Sequence, residues 1–160
     1  MSPSSARTPV HYRRTAESDA ETLSALLRSV AARFVVPDFA AGAGERFLAE
    51  TGPEAIVELQ RAGGFCFSAN AGDECVGMIG VRDNSHIKYL FVAGDWHGRG
   101  IGRHLVALAV AEMRANGHVG PVTVNSSDFA IEVYRRLGFR PTEPRQERNG
   151  IVFTPMQLAS

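Results

Sequence analysis

The chain has 160 residues, 44% hydrophobic and 21% charged, which suits one ordinary folded domain and argues against a disordered or fibrous chain. Its 17 basic residues balance 17 acidic ones, so the net basic footprint of strong nonspecific nucleic-acid binding is missing, and no nucleic-acid partner is expected. Two cysteines, Cys66 and Cys75, are too few for a disulfide framework and lack metal-ligand spacing, so no metal is expected either.

Met1 to Pro9 is small and polar and reads as a flexible tail ahead of a single domain over 10–160. It holds no apolar signal core. The longest purely apolar stretch, Leu105 to Ala111, is too short to span a bilayer. A cytoplasmic protein with no membrane partner is the expectation. Val10 to Arg14 suits a first short strand. Ser18-Asp-Ala-Glu21 then fits a capping box, and Leu23, Leu26, Leu27, Val30 and Phe34 fall on one helical face that Pro37 stops. A short helix is expected over Glu45 to Glu50. Another opens at Pro53 and runs to about Arg61, before Gly63-Gly64.

The period then changes. Phe65 to Asn70, Glu74 to Arg82 and Ser85 to Val92 are strand-like runs separated by Ala71-Gly72-Asp73 and Asp83-Asn84, which predicts an antiparallel meander. Ile101 to Asn116 is the clearest helix, ended by Asn116-Gly117. Pro121 to Asn125 suits a strand and Asp128 to Leu137 a helix ended by Gly138. Phe139 begins another strand, and Asn149-Gly150 turns a hairpin into Ile151 to Thr154. The strand–helix–strand unit from Ser85 to Asn125 calls for a parallel crossover. An α/β fold follows, with a mixed, mostly antiparallel central sheet flanked by helices.

The strongest chemical signal is a strand, Tyr89 to Val92, running into the turn His97-Gly-Arg-Gly-Ile-Gly-Arg103, which opens the best helix. Glycines let backbone N–H groups approach a ligand closely, and the helix start adds unpaired donors and partial positive charge. Together they suit a pyrophosphate, with Arg99 and Arg103 beside it. The spacing is neither GxGxxG nor GxxxxGK[ST], which disfavours a dinucleotide dehydrogenase and a P-loop nucleotidase.

These residues resemble the acetyl-CoA-binding motif of the GCN5-related N-acetyltransferases, a Gln or Arg followed by Gly at the fourth position and Gly or Ala at the sixth. His97 holds the first position, Gly100 the fourth and Gly102 the sixth. Val122 to Asn125, then Ala130, Tyr134 and Arg136-Leu-Gly-Phe139, resembles the family's second motif. The resemblance covers roughly Val10 to Leu158 and implies the acyl-CoA N-acyltransferase fold. It further implies that acetyl-CoA is the donor substrate, lying in a splay between the strands ending at Val92 and Asn125. Phe91 and Val92 would pair with the pantetheine arm through their backbones, and Asn125 would bond it from the neighbouring strand. The turn from His97 through Gly98, Arg99, Gly100, Ile101 and Gly102 to Arg103 would hold the pyrophosphate.

Tyr134 is the implied general acid, since its ordinary pKa near ~10 keeps it protonated at neutral pH and a thiolate leaving group needs a proton. The base is unassigned. His86, on the strand leading into the motif, is a weak candidate, and Glu74 and Asp83 are weaker ones. Lys88 shares side parity with His86 and would repel a cationic acceptor if it faced the pocket. Neither cysteine has a local arrangement suited to a covalent acetyl group. The implied reaction is transfer of acetyl from acetyl-CoA to a primary amine by direct attack in a ternary complex. A noncatalytic acyl-CoA sensor or interaction module is the alternative, and a protein that binds another nucleotide phosphate is a third. Family members are often homodimers, although no segment here forces an interface.

Overall fold

The computed structural model describes residues 8–159. The predicted tail lies outside them except for Thr8 and Pro9. The order is β1 (Val10–Arg14), α1 (Ala20–Phe34), α2 (Ala43–Ala49), α3 (Pro53–Arg61), β2 (Phe65–Ala71), β3 (Glu74–Arg82) and β4 (His86–Val92). There follow α4 (Ile101–Ala115), β5 (Val122–Ser126), α5 (Ile131–Arg136), β6 (Arg140–Pro141), β7 (Gln146–Arg148) and β8 (Ile151–Leu158). The strands lie in the order β1-β2-β3-β4-β5-β8-β6, with β7 paired on β8. All pairs are antiparallel except β4–β5, the crossover expected around α4.

Three local expectations need correction. Ser18 does not cap α1, because it sits inside a 3-10 turn at Glu17–Asp19. The Asp19 carboxylate instead accepts the N–H of Ala16 at 2.8 Å and the Arg13 guanidinium at 2.7 and 3.0 Å. The helix expected from Asp128 starts later, at Ile131, because the carbonyl and hydroxyl of Ser127 both take the N–H of Ala130 in a local turn. The last strand is twice as long as Ile151 to Thr154, reaching Leu158, because β5 pairs along it from Ser126↔Thr154 to Val122↔Leu158.

The sheet is buried on both faces. Helices α1 and α3 cover one face, packing Leu27 and Ile56 against Cys66, Met78 and Tyr89. Helix α4 covers the other with Ile101, Leu105, Ala109 and Met113 against Ile79, Val81, Ile87 and Val124. That buried stripe explains why this helix was the easiest to read: its apolar residues recur every three or four positions.

One irregularity positions the site. Val81 pairs with Ile87 and Gly80 with Tyr89, so Lys88 is an extra residue on β4, a β-bulge. Ile87 and Leu90 therefore both pack on the α4 face, while Tyr89 and Phe91 pack on the α1 face. The bulge interrupts the alternation between His86 and Lys88, yet both line one cavity. Beyond the bulge, β4 leaves β5. Pairing is confined to His86↔Thr123 and Ile87↔Val124, although β4 runs on to Val92 and β5 to Ser126.

Candidate active site

The parting strands open a cavity of about 830 Å³. Its walls are the free end of β4, the turn into α4, the end of β5, and α5. The segment joining α1 to α2 and the β7–β8 hairpin close the far side.

The turn is shaped by its own short-range bonds. Ala93 donates to the Val76 carbonyl, Trp96 to Ala93 and His97 to Gly94, which reverses the chain after β4. Gly98 and Gly100 have φ of +77° and +81°, and a Cβ on either would meet open space. Among the described residues no carbonyl takes the backbone N–H of any residue from Gly98 through Arg103; the first donor back into the helix is His104, to Gly100. The result is a row of unpaired donors at the start of a 15-residue helix, where the backbone dipoles add positive potential. Such a cradle suits a phosphate or pyrophosphate.

Of the cofactor-binding residues expected from sequence, Phe91, Val92, His97, Gly98, Gly100, Ile101, Gly102, Arg103 and Asn125 all line this cavity. Arg99 does not. Its guanidinium lies over the Trp96 ring, 4.6 Å from the centroid. His97, where the family carries Gln or Arg, bonds through Nε2 to the Val92 carbonyl at 2.7 Å. That contact staples the turn to the strand it follows. Phe34 and Phe129 flank the His97 ring at 4.9 and 5.7 Å.

Tyr134 is buried against Phe139, ring centroids 5.2 Å apart, and lines the cavity. Burial raises its phenol above the ordinary value, so it is protonated throughout the neutral range. Its hydroxyl bonds no group among the described residues and is available to an occupant. Gly138, φ +100° and one residue past the C-cap Leu137, ends α5 just beyond it, and Phe139 donates to the Tyr134 carbonyl.

His86 lines the other end. Its Nδ1 lies 2.8 Å from the Thr123 hydroxyl. Burial, then the charges of Arg82 and Lys88, push its pKa down to about 4. The imidazole is neutral at pH 7 and only weakly basic. Glu74 and Asp83 do not line the cavity, and neither do Cys66 and Cys75. Burial pushes the Cys66 thiol up to about 12 and raises Cys75 as well. Among the described residues no three His, Cys, Asp or Glu side chains gather as a metal site would need, and no helix is long and apolar enough to cross a membrane.

Sequence reasoning missed the aromatic lining: Phe34 and Phe129 beside His97, and Phe39, Phe47 and Phe153 on the far side. Phe34 ends α1, Phe47 lies in α2 and Phe153 in β8, while Phe39 and Phe129 lie on connections, and none belongs to either sequence motif. Phe129 is 48% exposed and Val133 42%, an unusual pair of apolar residues beside Tyr134 that only the structure reveals.

Comparison with known proteins places this geometry. Residues 35–160 match the family described as acetyltransferase (GNAT) domain. No curated protein matches by sequence. Among solved structures, a GCN5-related N-acetyltransferase from Rhodopseudomonas palustris superposes with a TM-score of 0.79 at 21% identity, covering 94% of this chain and 95% of its own. The PaiA N-acetyltransferase of Thermoplasma acidophilum, solved with coenzyme A, gives 0.80 at 15% identity over 95% and 99%. YncA of Salmonella typhimurium, solved with its cofactor acetyl-CoA, gives 0.66 at 16% over 94% of each chain. At such identities the superpositions establish a shared fold. With the family match over most of its length, this chain belongs to the GNAT acetyltransferases.

Proposed function

We propose that this protein takes acetyl-CoA as donor and passes the acetyl group to a primary amine by direct attack while both are bound. The observation that carries the reading is the unpaired backbone N–H row from Gly98 through Arg103 at the mouth of the cavity between β4 and β5. The coenzyme A and acetyl-CoA held by two structural neighbours agree with it.

Each residue then has a task. The turn from Gly98 to Arg103 binds the pyrophosphate, with Arg103 adding a full charge. The free edge of β4 at Phe91 and Val92, with Asn125 across the gap, aligns the pantetheine arm, extending the split sheet by a strand-like ligand. The carbonyl of Val92 is shared with His97, so the arm meets an edge already held in place. Holding thioester and amine together removes much of the entropic barrier. The amine nitrogen forms a bond to the thioester carbon, the carbon–sulfur bond breaks, and Tyr134 donates its hydrogen to the departing sulfur. The proton lost by the amine restores the balance through solvent. No carboxylate lines the cavity among the described residues, and His86 is too weak a base to deprotonate an alkylammonium of pKa near ~10. The amine is therefore taken up in its neutral form. Cys66 and Cys75, off the cavity and with raised pKa, have no part.

The test is calorimetric titration with acetyl-CoA, native protein beside Gly102→Glu. A Cβ at Gly102 meets nothing nearer than Val92 Cγ2 at 4.0 Å, and its backbone is ordinary helix, so the substitution adds a negative charge without backbone strain. The native protein should bind and the folded variant should lose at least tenfold in affinity. A folded native protein that ignores acetyl-CoA would refute the reading. The lack of a matched base favours one second reading, a noncatalytic acyl-CoA sensor. Binding of acetyl-CoA without transfer to any amine of a broad panel would decide for it.

A further inference from the structure

The charge of the cavity wall is one-sided. Its charged lining residues are Arg82, Lys88, Arg103, Arg136 and Arg148, and no Asp or Glu is among them. Arg103 and Arg136 stand with the phosphate turn and α5, on the donor side. The remaining three stand at the opposite end, with the start of β4 and the β7–β8 hairpin. Asp83 pairs Arg82 at 2.7 Å. Lys88 and Arg148 have no carboxylate partner among the described residues; each rests by an aromatic ring instead, Lys88 by Tyr89 and Arg148 by Phe153, both at 5.5 Å. The rest of this part of the wall includes apolar residues: Phe39, Phe47, Phe91, Ile151 and Phe153. One boundary of the space is tied down. The N–H of Ala40 donates to the Gly150 carbonyl at 2.9 Å, and Arg46 donates to the Asn149 carbonyl at 2.7 Å, tying the α1–α2 segment to the hairpin tip.

We infer that the acceptor is a small primary amine that also bears a carboxylate and an apolar body, the chemistry of an aliphatic or aromatic amino acid, with Lys88 and Arg148 receiving the carboxylate. This rests on the acetyl-transfer reading for its reaction, though not for its binding site. A polyamine or an aminoglycoside brings several ammonium groups to a wall holding cations and no counter-charge, and specificity follows from that mismatch as much as from any attraction. An amino acid meets complementary charge at one end and aromatic surface along its side chain. The bulge supplies the key cation: because Lys88 is the extra residue of β4, it escapes both packed faces of the sheet and remains exposed.

The test compares phenylalanine and leucine with their decarboxylated counterparts, phenethylamine and isoamylamine, and with spermidine. Binding is followed by ligand-observed NMR with and without coenzyme A, and turnover by thiol release from acetyl-CoA. The expected result is binding of the amino acids at least tenfold tighter than of the matched amines. That preference should shrink at least fivefold in Lys88→Met and in Arg148→Met, with the KM for acetyl-CoA unmoved. Preference for spermidine or for the decarboxylated amines would overturn the inference, as would a preference indifferent to both substitutions. Amino-acid binding without thiol release would leave the ligand class standing and sink the transfer reaction. Thiol release with other amines alone would do the reverse.

Discussion

Tyr134 and His86 show how burial assigns roles to single groups. Both line one cavity, and desolvation disfavours the charged form of each. For a phenol that keeps the hydrogen on. For an imidazole it keeps the proton off. Tyr134 is therefore a donor and His86 a neutral, weakly basic neighbour. Tyr134→Phe should lower kcat by about 10²-fold, the usual scale of a lost general acid, with the acetyl-CoA Kd changed less than about twofold. Rapid-mixing and calorimetric measurements separate the two, and unchanged turnover removes Tyr134 from the chemistry. The pH profile tests His86. With its pKa at about 4, it is already deprotonated at pH 6, so its titration contributes no inflection above that. kcat/KM should instead climb roughly tenfold per pH unit up to the amine's own pKa, following the neutral amine. A plateau beginning near pH 6.5 that vanishes in His86→Gln would show that the imidazole acts as the base.

At the scale of elements, the site exists because one strand carries a residue too many. A regular β4 would continue to pair with β5 and leave no edge for a ligand. The bulge at Lys88 adds local twist and sends the strands apart after Ile87↔Val124. Deleting Lys88 makes a direct test, since Ile87 and Tyr89 already occupy opposite faces and Val81↔Ile87 and Gly80↔Tyr89 become consecutive pairs. The shortened protein should keep its circular dichroism spectrum and lose more than tenfold in acetyl-CoA affinity. Retained affinity would mean that the splay has another cause. The hairpin is set by the same kind of local chemistry. Asn149 and Gly150, φ +54° and +84°, form the turn announced by their sequence, and a Cβ on Gly150 would meet Ala43 at 2.7 Å.

Over the whole molecule, the sheet separates two cores with different duties. Leu27, in α1, and Leu105, in α4, are both fully buried, on opposite faces. Truncating either to Ala should cost about 2–5 kcal/mol of stability, the usual range for a buried leucine. Their effects on the donor site should differ. Leu105 lies one turn into the helix whose start forms the phosphate cradle, and Leu27 lies across the sheet from it. Denaturant unfolding should show comparable losses, while acetyl-CoA affinity of the folded variants should fall in Leu105→Ala and hold in Leu27→Ala. Equal affinity in both would mean that the cradle is held by the turn's own bonds, such as His97 to Val92.

What could be read without coordinates was local. Periodicity located α1, α4 and the meander β2 to β4, and Pro53 with Gly63-Gly64 located α3. Turn chemistry located the Asn149-Gly150 hairpin, and glycine spacing located the phosphate cradle, because in each case the deciding forces act within a few residues. Where those forces compete, sequence reading slipped: Ser127 delayed α5, and Asp19 rather than Ser18 organised the approach to α1. The bulge at Lys88, the insertion of β8 between β5 and β6, and the closure of α1–α2 against the hairpin were decided only by tertiary structure. Each depends on which distant segment supplies a partner for an exposed backbone edge. The same holds for the aromatic, cation-bearing wall, whose residues run from Phe39 to Phe153 in the chain and are brought together by the sheet and by the bonds from Ala40 and Arg46 to the hairpin.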